Sequence, residues 1–143
     1  MFKDKLIKSV TLDDVAEITL LSIEEWKRVV KIESVPRFTA FWWLRSPGDD
    51  SSSTCGVDNT GDIYSFWIIF SFLGIRPAFK ISHLNAEIGE KIFVCNTLCT
   101  VIDKNYVLSD RVICLHQFDK KTNVYENSEI KRFIDSDEFK EML

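Results

Sequence analysis

The apolar and polar positions of the first third of the chain predict a strand that leads directly into a helix. Residues 18–21 form a short apolar run typical of a strand. Ser22 and Glu25 follow with the spacing of a capping box, in which each side chain bonds the main-chain amide of the other residue. Apolar side chains then recur at helical spacing, so we expect a helix over residues 23–30.

The middle of the chain alternates apolar runs with polar turns. Residues 41–44 are aromatic and apolar and predict a buried strand, whereas residues 47–53 have the composition of a loop. Residues 57–63 predict two short strands that flank a turn. A further strand is predicted over residues 75–81, where an Arg-Pro pair indicates either an edge strand or the start of a strand.

Beyond residue 84 the pattern predicts a β-meander followed by helices. The predicted strands of the meander are 92–102, 106–108 and 112–115. Asn127 and Ser136 are predicted to cap two helices near the end of the chain. We therefore divide the chain into a ligand-binding part, residues 1–84, and a tail of β-meander and C-terminal helix, residues 85–143.

Length and charge narrow the function classes. The chain has 143 residues, 45% of them hydrophobic and 28% charged, which suits one domain with an appendage and argues against disorder. A net charge of −4 disfavours binding to nucleic acid, which needs a basic face. The longest apolar run, residues 66–75, is too short to cross a bilayer. The first eight residues lack an apolar stretch, so we expect no secretory signal and no membrane insertion.

The residue types that usually carry catalysis or bind metals do not form a recognisable set. None of the cysteine spacings is Cys-x-x-Cys, and the two histidines complete no zinc pattern. His83 and His116 have no acidic neighbour, and the glycines form no phosphate-binding loop. We expect no metal, no cofactor and no catalysis. A thiol enzyme that uses Cys55 is the remaining catalytic alternative.

Residues 49–75 differ in composition from the rest of the chain. They contain four Asp residues and no Lys, Arg, Glu, Gln or Met. The remainder balances 18 basic against 18 acidic residues, so the whole net charge of −4 comes from this segment. Five aromatic residues fall within nine positions: Tyr64, Phe66, Trp67, Phe70 and Phe72.

Two interpretations of this segment compete. Aromatic and β-branched residues are typical of a buried strand. However, the run shows no clean period of two, and aromatic anchors beside Ser and Asp are also typical of an exposed recognition surface. Composition alone leaves both interpretations open.

Three ordered motifs carry a resemblance to a known family. The chain has WWLRSPG at residues 42–48, V-x-x-x-G-x-I at 57–63 and GIRPAF at 74–79. This set resembles the variable proteins of diversity-generating retroelements, in the form common in Firmicutes and their phages, which close the segment with GVRPA. LLSIEEW at 20–26 is similar to the family's LLS-x-E-E-[YW] element. YENSEIKRF at 125–133 is similar to a YExSEIR segment of a Firmicutes domain of unknown function that often accompanies the signature.

The resemblance implies an α+β, C-type-lectin-like fold related to the formylglycine-generating-enzyme type. In that family, template adenines are mutated during reverse transcription, and the resulting NNY codons cannot encode Lys, Glu, Gln, Met or Trp. Four of those five types are absent from residues 49–75, and Trp67 is the departure. This match favours the interpretation as an exposed binding surface.

The resemblance and the composition together assign roles to named residues. The expected ligand contacts are Asp49, Asp50, Ser51, Ser52, Ser53, Tyr64, Ser65, Phe66, Trp67, Ile68, Phe70, Ser71 and Phe72. The expected scaffold residues are Trp42, Trp43, Arg45, Gly61, Gly74, Arg76 and Pro77. Arg45 and Arg76 are expected to pair with main-chain oxygens or carboxylates.

The expected partner is a protein or a cell-surface ligand with an apolar patch. The alternative is a structural or assembly protein of a phage or mobile element, in which residues 64–73 form an oligomer or domain interface. A homo-oligomer is compatible with either interpretation. The expected location is the cytoplasm or a phage particle.

Overall fold

The computed structural model describes residues 7–143 and has an α+β fold, which confirms the expected class. The predicted lack of a secretory signal concerns mainly residues 1–6, which lie outside the described residues. The strands are β1 Lys8–Val10, β2 Val15–Thr19, β3 Trp42–Pro47, β4 Ser53–Val57, β5 Ile63–Trp67, β6 Gly74–Ile75, β7 Ala78–Ile81, β8 Lys91–Val94, β9 Thr97–Asp103, β10 Tyr106–Ser109 and β11 Cys114–Leu115. The α-helices are α1 Ile23–Val29, α2 Glu129–Ile134 and α3 Asp137–Glu141.

The strands form two sheets. The first has the order β1-β8-β9-β10-β7-β2 and the second the order β11-β6-β3-β4-β5. Pairing is antiparallel except between β1 and β8 and between β3 and β6, which are parallel. Strands from both sides of residue 84 share the first sheet, because β8, β9 and β10 lie between β1 and β7.

The predicted helix α1 and its capping box are confirmed. The amide of Glu25 donates to Ser22 Oγ at 3.2 Å, and the amide of Ser22 donates to Glu25 Oε1 at 2.8 Å. These bonds satisfy two of the main-chain donors that a helix start leaves without partners. The helix buries Trp26 and Val29 on the face that the spacing predicted.

Three predicted boundaries in the last part of the chain are wrong. Residues 92–102 form the hairpin β8–β9, because Cys95 takes a φ of 55° and reverses the chain. Residues 112–115 do not extend the meander, since β11 pairs with β6 in the second sheet. Ser128, and not Asn127, caps α2 by accepting a hydrogen bond from the amide of Lys131 at 3.1 Å.

Hydrophobic clusters cover both faces of the strands. Neighbouring residues of one strand enter opposite clusters, because side chains alternate along a strand. Trp42 packs in the cluster that contains Trp26 of α1, whereas Trp43 packs in the cluster that contains Phe139 of α3. Both indoles of β3 are fully buried, so this strand anchors the second sheet to both helical layers.

Candidate functional site

The hairpin β4–β5 and the loop after it carry most of the expected ligand contacts. Strand β5 pairs with β4 alone and therefore forms an edge of the second sheet. Residues 49–52, Tyr64, Ser65, Trp67, Ser71 and Phe72 are exposed. At these positions the side chains are exposed, as in a recognition surface, and are not those of a buried strand.

The aromatic residues of this region touch one another in an unbroken series. This series, the aromatic patch, consists of Tyr64, Phe66, Phe72, Phe70 and Trp67 in spatial order. Successive ring centroids lie 6.4, 6.2, 5.0 and 5.4 Å apart, within the range of favourable aromatic pairs. Tyr64 is 54% exposed and Trp67 59% exposed, so both ends of the series face solvent.

The middle of the aromatic patch is rooted in the core. The ring of Phe66 lies 6.0 Å from that of Phe41 and 6.4 Å from that of Trp43. Phe66 is half-buried and Trp43 is fully buried. The patch is therefore supported from beneath by aromatic side chains outside residues 49–75.

Two residues expected to contact ligand are buried. Ser53 is 5% exposed and Ile68 4% exposed, and Ile68 packs in the main hydrophobic cluster. The main chain of Ile68 is also fully used: its amide donates to Ser52 at 2.9 Å, and its oxygen accepts from Phe118 at 2.9 Å. Ser53 and Ile68 thus support the surface and do not present side chains on it.

The exposed loop before β4 is folded around Asp50. Its Oδ1 accepts from the hydroxyl of Ser52 at 2.7 Å and from the amide of Ser52 at 2.9 Å, and these bonds lower the pKa of the Asp50 carboxyl. The amide of Asp49 donates to Ser65 Oγ at 3.2 Å, which ties the loop to β5. The loop is thus ordered by its own side chains.

A cleft of about 350 Å³ opens at the carboxyl end of β5. Its walls include Ser51, Ser52 and Trp67 from the expected contacts. Lys120 and Lys121 complete the cleft from the other part of the chain. Sequence reasoning missed both lysines, because no local signal relates residues 120–121 to a strand more than fifty positions earlier.

Asp119 holds the two lysines in place. Its carboxylate accepts the amides of Lys121 at 2.7 Å, Thr122 at 2.8 Å and Glu129 at 2.9 Å. Burial opposes ionisation, but these main-chain donors prevail and lower the pKa of the Asp119 carboxyl. The lysine-bearing loop is therefore a fixed wall of the cleft.

Asn123 joins this loop to the loop before β4. Its Nδ2 donates to the main-chain oxygens of Asp50 and Ser53, each at 3.1 Å. One side chain of the tail thus holds both ends of the turn that precedes β4.

The expected scaffold residues lie beneath this surface. Arg45 pairs with Glu25 and donates through Nη1 to the main-chain oxygen of Leu20 at 2.6 Å. Burial opposes ionisation of Glu25, yet hydrogen bonds from Ser22 and Arg45 lower the pKa of its carboxyl. Arg45 therefore fixes the start of α1 against β3.

Arg76 makes the expected bond to a main-chain oxygen and also contacts two indole rings. It is fully buried, and its guanidinium lies against both Trp26 and Trp42, with the central carbon 5.5 and 5.0 Å from the two ring centroids. Its Nε donates to the main-chain oxygen of Ser109 at 2.7 Å. Burial lowers the pKa of this guanidinium to about 10.

Pro77 follows Arg76, and β7 begins at the next residue. Strand β7 lies between β10 and β2, so the alternative of an edge strand is wrong.

The two scaffold glycines permit close packing. Gly61 has a φ of 91° in the turn between β4 and β5, and its oxygen accepts from Trp26 Nε1 at 3.0 Å. A Cβ at Gly74 would lie 2.1 Å from Val112 Cγ1, so a larger residue would push β11 away from β6.

The surface offers little nucleophilic chemistry. Cys55 is buried and donates to the main-chain oxygen of Pro47 at 3.4 Å, and burial raises the pKa of its thiol. Among residues 7–143, no group of three or more His, Cys, Asp or Glu side chains could hold a metal ion. No helix in the same range is long and apolar enough to cross a membrane.

Comparison with known proteins shows the family to which the chain belongs. No curated protein and no solved structure matches the chain. A family model described as a domain of unknown function, DUF6273, matches residues 7–83, from β1 to the residues after β7. Since this match spans more than half of the sequence, the chain belongs to the DUF6273 family.

Proposed function

We propose that the protein is a non-catalytic binding module that presents the aromatic patch to a protein or cell-surface target. The observation that carries this proposal is the unbroken series of rings from Tyr64 to Trp67, exposed at both ends and rooted in the core. Large rigid aromatic side chains provide contact area at a low cost in conformational entropy. Such residues dominate the binding energy of many protein interfaces.

The surroundings of the aromatic patch favour a target with an apolar centre and charged edges. Asp49 and Asp50 lie on the loop beside the patch, and Lys120 and Lys121 line the cleft at Trp67. An apolar centre with a polar rim is the usual anatomy of a protein interface. A protein surface fits this arrangement better than a small molecule, because the cleft is open and the patch is broad.

We further propose that residues 49–75 are diversified, as in the retroelement proteins that the WWLRSPG and GIRPAF motifs resemble, and that the fold is C-type-lectin-like. The difference in burial between the motif residues that flank the segment and the expected contacts within it supports this proposal. The flanking motif residues Trp42, Trp43 and Arg76 are fully buried, whereas most expected contacts are exposed. A surface whose stability comes from beneath accepts substitutions as antibody loops do.

The absence of catalysis is part of the proposal. A reactive cysteine needs a lowered thiol pKa, but burial raises the pKa of Cys55. The thiol is also engaged with the main-chain oxygen of Pro47. Both observations favour a packing role for this cysteine.

Sequencing the encoding locus and its flanks tests the proposed diversification. We expect a near-identical second copy of the stretch that encodes residues 42–79, beside a reverse-transcriptase gene. The two copies should differ almost only where the template has adenine, and the differing codons should be those of exposed residues. A locus without such a copy would contradict the diversification and leave the motifs as an inherited scaffold.

A binding experiment tests the aromatic patch itself. A target that wild type captures from a displayed library of cell-surface proteins should be lost by the double variant Tyr64→Ser/Trp67→Ser. Phe38→Ser is the matched control, because Phe38 is 77% exposed and lies outside the patch. Equal capture by the double variant and the control would contradict the proposal.

A structural or assembly protein is the second candidate function. The specific observation in its favour is the open edge of β5, which is continuous with the aromatic patch.

A further inference from the structure

The main-chain groups at the open edge of β5 can be assigned from its pairing with β4. The amide of Ile68 donates to Ser52 at 2.9 Å and the amide of Asp58 donates to Asp62 at 2.8 Å, so these positions are hydrogen-bonded pairs. Hydrogen-bonded and non-hydrogen-bonded pairs alternate along an antiparallel ladder. The next bonded pairs inside the hairpin are therefore those made by Phe66 and Tyr64.

The remaining residues of β5 turn their main-chain groups away from β4. These residues are Ile63, Ser65 and Trp67. Ser65 is exposed, and the alternation along the ladder leaves its amide and carbonyl directed away from β4. Strand β5 therefore presents donors and acceptors for a further strand, although the carbonyl of Trp67 already accepts from the amide of Phe70 at 3.0 Å.

The other sheet edges carry features that oppose such pairing. Strand β1 begins with exposed Lys8, and β11 is only two residues long. Strand β2 carries an irregularity in its register and Glu17, which forms an ion pair with Lys80 at 3.0 Å. Charged residues, irregular register and short length are the usual protection of an edge. Strand β5 has five residues, no charge and a regular register.

We propose that β5 pairs with β5 of a second copy of this chain, in antiparallel register about a two-fold axis at Ser65. In this register Ser65 lies opposite its own copy, with both main-chain groups of each copy bonded to the other. Ile63 then lies opposite Trp67, and Tyr64 lies opposite Phe66. The pairing closes on itself and gives a dimer, as an isologous interface must.

The side chains across this pairing are compatible. Tyr64 and Phe66 would form two aromatic cross-strand pairs on one face, and Ile63 and Trp67 would form two apolar pairs on the other. The small side chain of Ser65 meets itself at the axis, where a large or charged residue would be opposed by its own copy. No like charges face each other along the five residues.

Charges at the two ends of β5 favour the same antiparallel register. Exposed Asp62, whose carboxylate also forms an ion pair with Arg37 at 3.4 Å, precedes the strand, whereas Lys120 and Lys121 line the cleft at its end. Neither lysine forms an ion pair with another of residues 7–143. Antiparallel pairing places Asp62 of one copy opposite Ile68 of the other, at that cleft, and does so twice by symmetry. Parallel pairing would bring like charges together at each end.

The dimer would join two five-stranded sheets into one sheet of ten strands. It would also place the Tyr64 and Phe66 rings of both copies side by side on one face of that sheet, with each Trp67 on the opposite face. Dimerisation does not depend on the proposed function, because it needs no target and is measured on the protein alone.

Sedimentation equilibrium over a range of concentrations tests the pairing. Wild type should move from the 16.6 kDa of the single chain toward twice that mass as its concentration rises. A proline at 65 removes the amide that faces the open edge and leaves the bonds of Tyr64 and Phe66 to β4 in place. Ser65→Pro should therefore raise the dimer dissociation constant at least about tenfold, since two central bonds are lost.

Ser65→Ala is the matched control, because it removes the same hydroxyl but keeps the amide. It should dimerise as wild type does. Far-UV circular dichroism at concentrations where all three proteins are monomeric should show that Ser65→Pro keeps the fold. A single-chain mass for wild type at every concentration would overturn the proposal. The edge of β5 would then be available only for a strand of another protein. Equal dissociation constants for Ser65→Pro and Ser65→Ala would overturn it as well.

Charge reversal gives an independent test of the register. Asp62→Lys should raise the dissociation constant, and the combined variant Asp62→Lys/Lys120→Asp/Lys121→Asp should bring it back toward the wild-type value. If the combined variant dimerises no better than Asp62→Lys, the antiparallel register at Ser65 is wrong.

Discussion

The side-chain amide of Asn123 donates to the main-chain oxygen of Ser53 at 3.1 Å and so connects the tail to the start of β4. A second bond from the same nitrogen reaches Asp50. Asn123→Ala removes both donors, so we expect the free energy of unfolding to fall by about 1–2 kcal/mol. Urea denaturation measures this change, and hydrogen exchange should show faster opening of residues 48–53. Asn127→Ala is the control: it alters an exposed asparagine that makes no side-chain hydrogen bond among the described residues, and an equal loss there would remove the specific role of Asn123.

The aromatic patch should tolerate change at its exposed end and resist change at its root. Trp67→Thr should lower the free energy of unfolding by about 1 kcal/mol or less, because the indole is 59% exposed and packs on Phe70 alone among the rings of the patch. Phe66→Thr should cost about 2 kcal/mol, since the half-buried ring packs on Phe41 and Trp43. Both variants place β-branched Thr in β5, so the strand propensity of the two new residues is the same. Equal losses in urea denaturation would mean that the patch is not rooted in the core as described.

The stability that Asp119 contributes should depend on pH. Its folded pKa lies below the unfolded value, so its contribution is present above the unfolded pKa and is lost as the pH falls through the folded pKa. Asp119→Asn should cost about 2 kcal/mol at pH 7, and the difference from wild type should shrink below about pH 4.

Thermal unfolding of wild type and of Asp119→Asn from pH 7 down to pH 3 measures this difference in stability. Asp49→Asn is the control, because Asp49 is exposed and its carboxylate makes no hydrogen bond among the described residues. A gap between wild type and Asp119→Asn that is the same at pH 3 and pH 7 would contradict the assigned role.

The four thiols should react with iodoacetamide at different rates in the folded protein. Burial raises the pKa of Cys99 from 9.0 to about 12, which lowers its thiolate fraction about a thousandfold. Burial also raises the pKa of Cys55 and of Cys114. We expect Cys95 to be labelled first and Cys99 only after unfolding, as followed by peptide mass spectrometry. Rapid labelling of Cys55 would instead revive the alternative of a thiol enzyme.

Local signals in the sequence were sufficient for the elements that depend on neighbouring residues. The capping box of Ser22 and Glu25 and the turn around Gly61 were predictable, because both are made within a few positions of the chain. The cap of α2 was misplaced by one residue, since Asn127 and Ser128 are both good caps and only the path of the chain selects between them.

Contacts between distant residues were not predictable in the same way. Arg76 was expected to pair with a carboxylate or a main-chain oxygen, and the stacking on Trp26 and Trp42 depends on how three separate elements meet. The composition of the segment and the family resemblance predict Ile68 on the surface with its aromatic neighbours, yet the chain turns at this residue and directs it inward. Lys120 and Lys121 reach the cleft only because the tail crosses the end of β5.

The family match ends at residue 83, but one wall of the cleft belongs to Lys120 and Lys121. Two relatives that are identical through residue 83 and differ afterwards would therefore offer different rims around the same rings. Under the proposed binding function, recombination that exchanges only the C-terminal portion would therefore change target preference without altering a codon of the hairpin.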